Sequence, residues 1–224
     1  MLSQAFRARA LGVGQLLRSE IRTGTARGKA AADAMAAGEL LPDDIAISVL
    51  RDRMAGSRDV RANGWLLDGF PRTESQATAM LAEGEEYLRP DCVLVLDRPD
   101  ELIREFALGR MADAATGAIF HPVYAPPPLS DERTRSRLVW RVDDTPQAVD
   151  ARIADYRRCI GPILDTFRAA GVPVLELDNA RSELLTFEEA ARFVEGTGLD
   201  KLARMGGRAA LAAAAAAAGD GEDV

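Results

Sequence analysis

An unbroken apolar run at residues 92–96 restricts most strongly what this chain can fold into. The run has the length of a strand, and a strand without a polar face is buried on both sides, as in a parallel sheet. A shorter apolar run at residues 65–67 leads into Asp68-Gly69-Phe70-Pro71-Arg72, and a third run follows at residues 172–177. Helical segments separate these runs, so the sequence predicts an α/β domain with a parallel sheet.

The helical pattern repeats between the predicted strands. We predict helices over residues 11–21, 25–37, from Pro42 onward, 73–80, 100–111, 146–170 and 187–194. Thr73 and Gln76 have the spacing of a capping box at a helix start. Residues 112–141 contain Gly117 and three consecutive prolines, so we interpret them as a loop or small excursion. Residues 203–224 form an alanine-rich, low-complexity tail that we expect to be disordered or loosely helical.

Composition excludes several classes of protein. The 224-residue chain has a formal net charge of -7, which argues against a nucleic-acid-binding protein with its basic surface. A local cleft can still concentrate positive charge around a phosphate. No stretch is apolar for long enough to span a bilayer, so we expect no membrane partner. Cys92 and Cys159 lack partners at metal-ligand spacing, and we predict that both are reduced, structural residues.

The turn after the second apolar run carries the densest set of functional side chains. Arg72 offers a planar fork for a phosphate at the carboxyl end of a strand, where open α/β sheets bind ligands. Gly69 permits close approach of the backbone to a ligand. Gln76 lies one helical turn further on and can pair with the edge of a base. On spacing alone, an ordinary tight turn with a surface arginine remains an equal alternative.

The segment from Leu66 to Thr73, followed by Gln76, resembles the signature of adenylate kinases. The resemblance continues in order from about residue 11 to residue 194. It implies a parallel sheet of the P-loop kinase type in a domain at 11–195, with AMP-binding helices at about 11–60 and a lid insertion at about 112–141. The activity implied is transfer of a phosphoryl group from ATP, with Mg²⁺, to AMP, giving two ADP, by a protein that is a monomer.

The same resemblance assigns roles to individual residues. It implies AMP binding by Leu17, Arg18, Met35, Glu39, Leu40, Leu41, Gly69, Arg72 and Gln76. It implies ATP binding by Phe106, Arg110, His121 and Arg181. It implies a catalytic set of Asp68, Arg72, Arg110, Arg141 and Arg152, with Asp68 acting on the hydration shell of Mg²⁺ and no direct protein ligand to the metal. His121 has a second interpretation, that of a solvated loop residue.

Several arginines suit this reaction because phosphoryl transfer depends on positioning and on neutralising charge. Phe106 stands where the family often has an arginine stacked on adenine, and an aromatic ring can stack there as well. The lid carries no set of cysteines, so it resembles the version of the family without zinc. Gly64-Trp65-Leu66-Leu67 and the lid are most similar to the plastid type, which implies a chloroplast location, with the cytoplasm as the alternative.

One family feature is missing from the sequence. The family's Gly-x-x-Gly-x-Gly-Lys loop binds the ATP phosphates, and the chain contains no such motif; its only lysines are Lys29 and Lys201. We therefore expect the first, central strand to be absent, its two neighbours to have unpaired edges, and ADP formation to be negligible. A truncated gene model, an alternative start, a piece of a longer protein and an inactive nucleotide-binding module all stay open. A UMP/CMP kinase is a further alternative.

Overall fold

The computed structural model describes residues 1–37, 42–82, 87–141, 144–197 and 210–215. In chain order, the elements are α1 (Leu2–Ala5), β1 (Arg9–Gly12), α2 (Val13–Thr23), α3 (Ala26–Ala37), α4 (Asp43–Gly56), α5 (Arg58–Asn63), β2 (Trp65–Asp68), α6 (Glu74–Met80), β3 (Cys92–Asp97), α7 (Asp100–Gly109), β4 (Met111–Asp113), β5 (Ile119–Phe120), α8 (Glu132–Arg135), β6 (Leu138–Trp140), α9 (Pro146–Ala169), β7 (Val174–Asp178), α10 (Glu183–Gly196) and β8 (Ala210–Ala215).

A five-stranded sheet in the order β1-β2-β8-β3-β7 confirms the predicted α/β fold class. Strand β2 pairs in parallel with β1 on one side and with β8 on the other, and β3 pairs in parallel with β8. Gly12 and Asp68 are register partners at the last residues of their strands. The carboxyl ends of β1 and β2 therefore meet at one edge of the sheet, where α/β proteins of this kind bind ligands.

The central position of the sheet is occupied by the alanine-rich segment near the end of the sequence. Leu67 and Val93 both take Ala212 as a register partner, so the facing edges of β2 and β3 are paired. The expectation of two unpaired inner edges is therefore wrong. The expectation of a disordered or loosely helical tail is also wrong for Ala210–Ala215, because the pairing of these residues with two buried strands outweighs the low β-propensity of alanine.

The predicted helix over residues 11–21 begins later than its sequence pattern suggested. Residues Arg9–Gly12 form β1, in which Leu11 pairs with Leu67, and the helix α2 starts at Val13. Pairing with β2 decides the conformation here, and it places Leu11 in the buried core. The other predicted strands and helices are present with shifted ends. No helix in the described ranges has the length and apolarity needed to cross a bilayer.

The chain forms two compact units. The first comprises Met1–Leu96 with Cys159–Ala215 and contains the parallel sheet. Its main apolar cluster packs β2 and β3 against the second half of α9, with Leu67, Leu88 and Phe167 fully buried. Cys92 is also buried, and burial raises the pKa of its thiol to about 12. Both cysteines are free thiols, in agreement with the structural role predicted for them.

The second unit is built on Asp97–Arg158. It contains a three-stranded antiparallel sheet in the order β5-β4-β6, in which Met111 pairs with both Phe120 and Trp140. Helix α7 and the first part of α9 enclose a small core of Ile103, Ala107, Val149 and Ile153. Residues 112–141, interpreted from sequence as a loop or small excursion, therefore contribute the strands of a small antiparallel sheet.

Candidate functional site

The turn between β2 and α6 presents the first group of predicted site residues. Asp68 ends β2 with an exposed carboxylate. Gly69 follows with φ at +69°, a left-handed conformation that glycine adopts without strain. Arg72 is exposed, and its Nε donates a hydrogen bond to the carbonyl of Gly69 over 2.9 Å. This bond orients the guanidinium at the carboxyl end of the strand.

Gln76 lies in the first turns of α6 and is buried, with its amide fixed on two sides. Its Oε1 accepts the backbone N–H of Arg72 over 2.7 Å, and its Nε2 donates to Oδ1 of Asp43 over 2.8 Å. Thr73 caps the helix by accepting the N–H of Gln76 over 3.2 Å, which confirms half of the predicted capping box. The reciprocal half is absent, because the Gln76 side chain bonds to Arg72 and Asp43.

Asp43 is a residue of this site that sequence reasoning missed. The sequence signal for it was Pro42-Asp43-Asp44, which we interpreted only as the start of a helix. The structure places its carboxylate beside α6, where it also accepts a hydrogen bond from the hydroxyl of Ser75. The contact joins residues 32 positions apart, and no local pattern predicts such a pairing.

Three of the remaining predicted AMP residues belong to α2 and α3 of the first unit. Leu17 is buried against Ala31 and Val49, so it also belongs to an apolar cluster. Arg18 is half-buried on α2. Met35 lies in α3, and Glu39, Leu40 and Leu41 fall outside the described residues. The roles of these residues in AMP binding stay predictions.

Gly28 sets how closely α2 and α3 approach each other. A Cβ atom at this position would lie 2.2 Å from the carbonyl oxygen of Glu20, which is backbone and cannot yield. Glycine is therefore required for the packing that positions Arg18 on α2.

The second unit brings three predicted arginines onto one carboxylate. Arg110 donates to Asp144 through Nε over 2.9 Å and through Nη2 over 2.8 Å, and Arg152 donates to it over 2.6 Å. Arg141 lies 3.7 Å from the same carboxylate. The predicted grouping of Arg110, Arg141 and Arg152 is therefore present, and Asp144 is its centre.

Hydrogen bonding keeps the carboxylate of this cluster ionised. Burial alone would raise the pKa of Asp144, but hydrogen bonds from Arg110 and Arg152 outweigh it and hold that pKa below its usual value. The Nε atom of Arg152 is buried without a hydrogen-bond partner among the described residues. A phosphate oxygen would supply the acceptor that this Nε lacks.

His121 is buried, so its interpretation as a solvated loop residue is wrong. Its ring stacks on Phe106 with centroids 5.3 Å apart and planes 4° apart. Its Nδ1 accepts the backbone N–H groups of Val123 and Tyr124 over 3.1 and 3.2 Å. Because Nδ1 accepts two hydrogen bonds, we assign the proton to Nε2, which lies 3.4 Å from the carbonyl of Glu105.

A polar network that sequence reasoning also missed stabilises the small sheet of the second unit. The buried carboxylate of Asp113 accepts two hydrogen bonds from Arg137, over 2.8 and 2.6 Å, and one from the hydroxyl of Thr116. The hydrogen bond from Arg137, followed by that from the backbone N–H of Ala115, holds the pKa of Asp113 well below its usual range. This network connects β4 to the segment just before β6.

Arg181, the last predicted ATP residue, lies in the first unit just before α10. Its Nε is 3.2 Å from the carboxylate of Asp178 and its Nη1 is 3.6 Å from that of Glu189. All of these side chains are largely exposed, so the pairs contribute little to stability. Its predicted contact with ATP stays a prediction.

A parallel sheet with an arginine at the carboxyl end of a strand, and a second unit that gathers three arginines, are features expected of a nucleoside monophosphate kinase. A sequence model described as adenylate kinase matches residues 1–172. The chain is 43% identical over 157 residues to a chloroplastic adenylate kinase of Zea mays, a match that covers 70% of this chain and 68% of the relative. The chain belongs to the adenylate kinase family, which confirms the resemblance seen in the sequence.

A second relative shows how much of the longer family members this chain represents. It is a probable adenylate kinase 2, chloroplastic, of Oryza sativa subsp. japonica, 38% identical over 164 residues. The match covers 73% of this chain and 54% of that relative. The chain therefore corresponds to about half the length of this second protein.

Proposed function

We propose that the chain binds AMP in its first unit and the phosphates of ATP in its second, and transfers the terminal phosphoryl group of ATP to AMP to give two ADP. One observation carries the proposal: the turn after β2 presents Arg72, suited to a phosphate, within one helical turn of Gln76, suited to a base. A binding site for a nucleoside monophosphate needs one group for the phosphate and another for the base. Membership of the adenylate kinase family supports the same reaction.

On the AMP side, Arg72 and Arg18 neutralise the phosphate, and Gln76 pairs with adenine. The left-handed turn at Gly69 lets the backbone pass close to the base. The proposal also assigns the walls of the adenosine pocket to Leu17, Met35, Glu39, Leu40 and Leu41. Arginine suits the phosphate because its planar fork makes two parallel, charge-assisted hydrogen bonds.

On the ATP side, Arg110, Arg141 and Arg152 neutralise the negative charge of the phosphates. Phe106 is half-buried and stacks on the buried ring of His121, and its other face offers an aromatic surface for a base. ATP enters as its Mg²⁺ complex, and the metal neutralises further phosphate charge when bound. The exposed carboxylate of Asp68 suits a contact with the water shell of that ion, and Arg181 is assigned to ATP as well.

The side chains contribute mainly by orientation and charge. The phosphate of AMP is already a nucleophile, so no general base is required, and the proposal assigns none. Positioned guanidinium groups stabilise charge on the transferring phosphoryl group. Because the sequence contains no Gly-x-x-Gly-x-Gly-Lys motif, we expect this chain to form ADP very slowly. A nucleotide-binding module without activity is the alternative that the measurement of turnover tests.

Calorimetry with AMP tests the binding step independently of turnover. We expect AMP to bind and Arg72→Ala to weaken binding at least tenfold, whereas Arg61→Ala, an exposed arginine on α5, should leave it unchanged. Equal affinity in the Arg72 variant, or no binding of AMP, would refute the proposed site. Chromatographic measurement of ADP from ATP and AMP then separates a slow kinase from an inactive module.

Location and assembly state are part of the same proposal. We propose a chloroplast location, supported by the chain's similarity to chloroplastic adenylate kinases of Zea mays and Oryza sativa subsp. japonica. Detection of the endogenous protein in isolated plastids, against a cytosolic fraction, tests it. We also propose a monomer; light scattering coupled to size exclusion would give the mass of one chain, and a dimer mass would contradict it.

A further inference from the structure

We propose that Asp43 fixes the orientation of the Gln76 amide and so makes the nucleotide site select a 6-aminopurine over a 6-oxopurine. Asp43 is thus a positioning residue that determines specificity. The inference rests on the proposed function, because it takes Gln76 as the side chain that faces the base of AMP. It goes beyond that function by naming what makes this amide selective.

A glutamine amide on its own cannot tell the two purine types apart. Its oxygen accepts hydrogen bonds and its nitrogen donates them, and rotation of the amide by 180° exchanges their positions. A freely rotating Gln76 would therefore match a base that donates at position 6 and, after a flip, a base that accepts there. Selectivity requires that one of the two orientations be made costly.

The two partners of Gln76 make the flipped orientation costly. The backbone N–H of Arg72 can only donate, and it faces Oε1 at 2.7 Å. The carboxylate of Asp43 can only accept when ionised, and it faces Nε2 at 2.8 Å. A flip would place two donors together on one side and two acceptors together on the other. Because Gln76 is only 8% exposed, water would compensate little for the lost bonds.

The fixed amide keeps one donor and one acceptor for a ligand. Among the described residues, the Gln76 side chain makes only the two bonds to Arg72 and Asp43. Its Nε2 retains a second N–H, and its Oε1 retains a second lone pair. Adenine offers the complementary pair, a 6-amino donor next to a ring-nitrogen acceptor. Hypoxanthine has an oxygen at position 6 and a proton on N1, so it presents the reverse pattern.

The position of Asp43 supports this role over that of a simple helix cap. Asp43 is the first residue of α4, whose N-terminus has no side-chain capping bond. Its carboxylate is directed to Ser75 and Gln76 on a neighbouring helix. Asp44 follows it at the same helix end and provides a matched control, because its neutralisation removes the same charge from the same helix turn.

The test compares AMP with inosine monophosphate by calorimetry on the full chain and on two variants. Asp43→Asn is nearly isosteric, but asparagine can donate or accept, so position 43 no longer favours one orientation of Gln76. We expect the preference for AMP over inosine monophosphate to fall about tenfold, the equivalent of one hydrogen bond to a charged group. Asp44→Asn should keep the preference of the unmodified chain.

The outcomes separate this inference from the proposed function. If the unmodified chain prefers AMP and Asp43→Asn keeps that preference, the orientation role is wrong and the AMP site stands. If both variants lose affinity for both nucleotides equally, Asp43 supports the helix only and the inference is overturned. If the unmodified chain binds neither nucleotide, the proposed function fails and the inference fails with it.

A second measurement examines the orientation without any nucleotide. The two side-chain N–H protons of Gln76, assigned in ¹⁵N-correlated spectra through a Gln76→Glu variant, should have widely separated shifts and slow exchange with water. Asp43→Asn should bring their shifts together and speed exchange, while Asp44→Asn should not. Gln76 protons with the shifts and exchange of a solvated amide in the unmodified chain would overturn the inference.

Discussion

Arg110 and Asp144 form a two-point ion pair that is almost fully shielded from water. The Nε–Oδ2 and Nη2–Oδ1 distances are 2.9 and 2.8 Å, and the two side chains are 2% and 4% exposed. Loss of one partner would remove a direct counter-charge in a medium of low polarity, where such a loss is costly. The pair therefore couples the end of α7 to the residues that precede α9.

We expect Asp144→Asn to lower the free energy of unfolding of the second unit by about 3–5 kcal/mol, because it removes the counter-charge of a buried guanidinium. Asp150→Asn is the matched control: Asp150 pairs with Arg104, but its side chain is 52% exposed. Asp150→Asn should lower the free energy of unfolding by about 0–1 kcal/mol. Urea denaturation, followed by hydrogen exchange of the second unit, measures the loss of stability in each variant. Equal losses in the two variants would show that shielding from water does not strengthen the Arg110–Asp144 pair.

Acid should weaken the small antiparallel sheet through Asp113. The native pKa of this carboxyl is depressed, chiefly by the hydrogen bond from Arg137, relative to about 3.9 in an unfolded chain. Its contribution to stability is therefore complete above that unfolded value and is lost as the pH falls towards the native pKa. We expect Asp113→Asn to be less stable than the unmodified chain at pH 7 and to approach it below about pH 4.

Hydrogen exchange of residues 111–140 across a pH series measures this effect locally. A constant stability difference between the Asp113 variant and the unmodified chain at every pH would contradict it. Glu132→Gln is a suitable control, since Glu132 is an exposed carboxylate in the same region. Its curve should follow that of the unmodified chain.

The parts of the fold that local patterns determine were predictable from sequence. The apolar run at residues 92–96 forms the buried strand β3, and Thr73 caps α6. Both features were predictable because they depend on residues that are close in the sequence. Strand β1 was missed because its four residues follow no local strand pattern and are held by pairing with β2. Strand β8 was missed for the same reason, since an alanine run contains no signal for its partners.

The candidate site was predictable in its residues and less so in its contacts. Arg110, Arg141 and Arg152 were named from the family resemblance, and the structure brings them together. The place of Asp144 at the centre of the arginines was not predicted, because it comes from tertiary packing. The burial of His121 was missed for a similar reason, because a loop between a glycine and prolines gave no sign of the ring of Phe106.

Proline in the central strand tests whether the alanine-rich segment completes the parallel sheet. Ala212 pairs with Leu67 on one side and Val93 on the other, and proline at this position removes a backbone donor from the ladder. We expect Ala212→Pro to lower the melting temperature of the first unit, and Ala212→Ser to change it little. Identical melting curves for the proline variant and the unmodified chain would show that the segment contributes nothing to the sheet.

Gly109→Ala should disturb the aromatic cluster around His121. A Cβ atom at position 109 would lie 2.0 Å from Nε2 of His121, and this ring cannot move freely because it is buried, stacked on Phe106 and bonded to two backbone N–H groups. We expect this variant to lower the free energy of unfolding by about 1–3 kcal/mol, which is typical of overpacking.

The control is Gly161→Ala in α9, where the added Cβ meets nothing within 4 Å. That change should stabilise the chain by about 0.5–1 kcal/mol, because alanine loses less entropy in a helix. Thermal unfolding of both variants tests these expectations. A stabilised Gly109 variant would mean that the His121 ring yields easily.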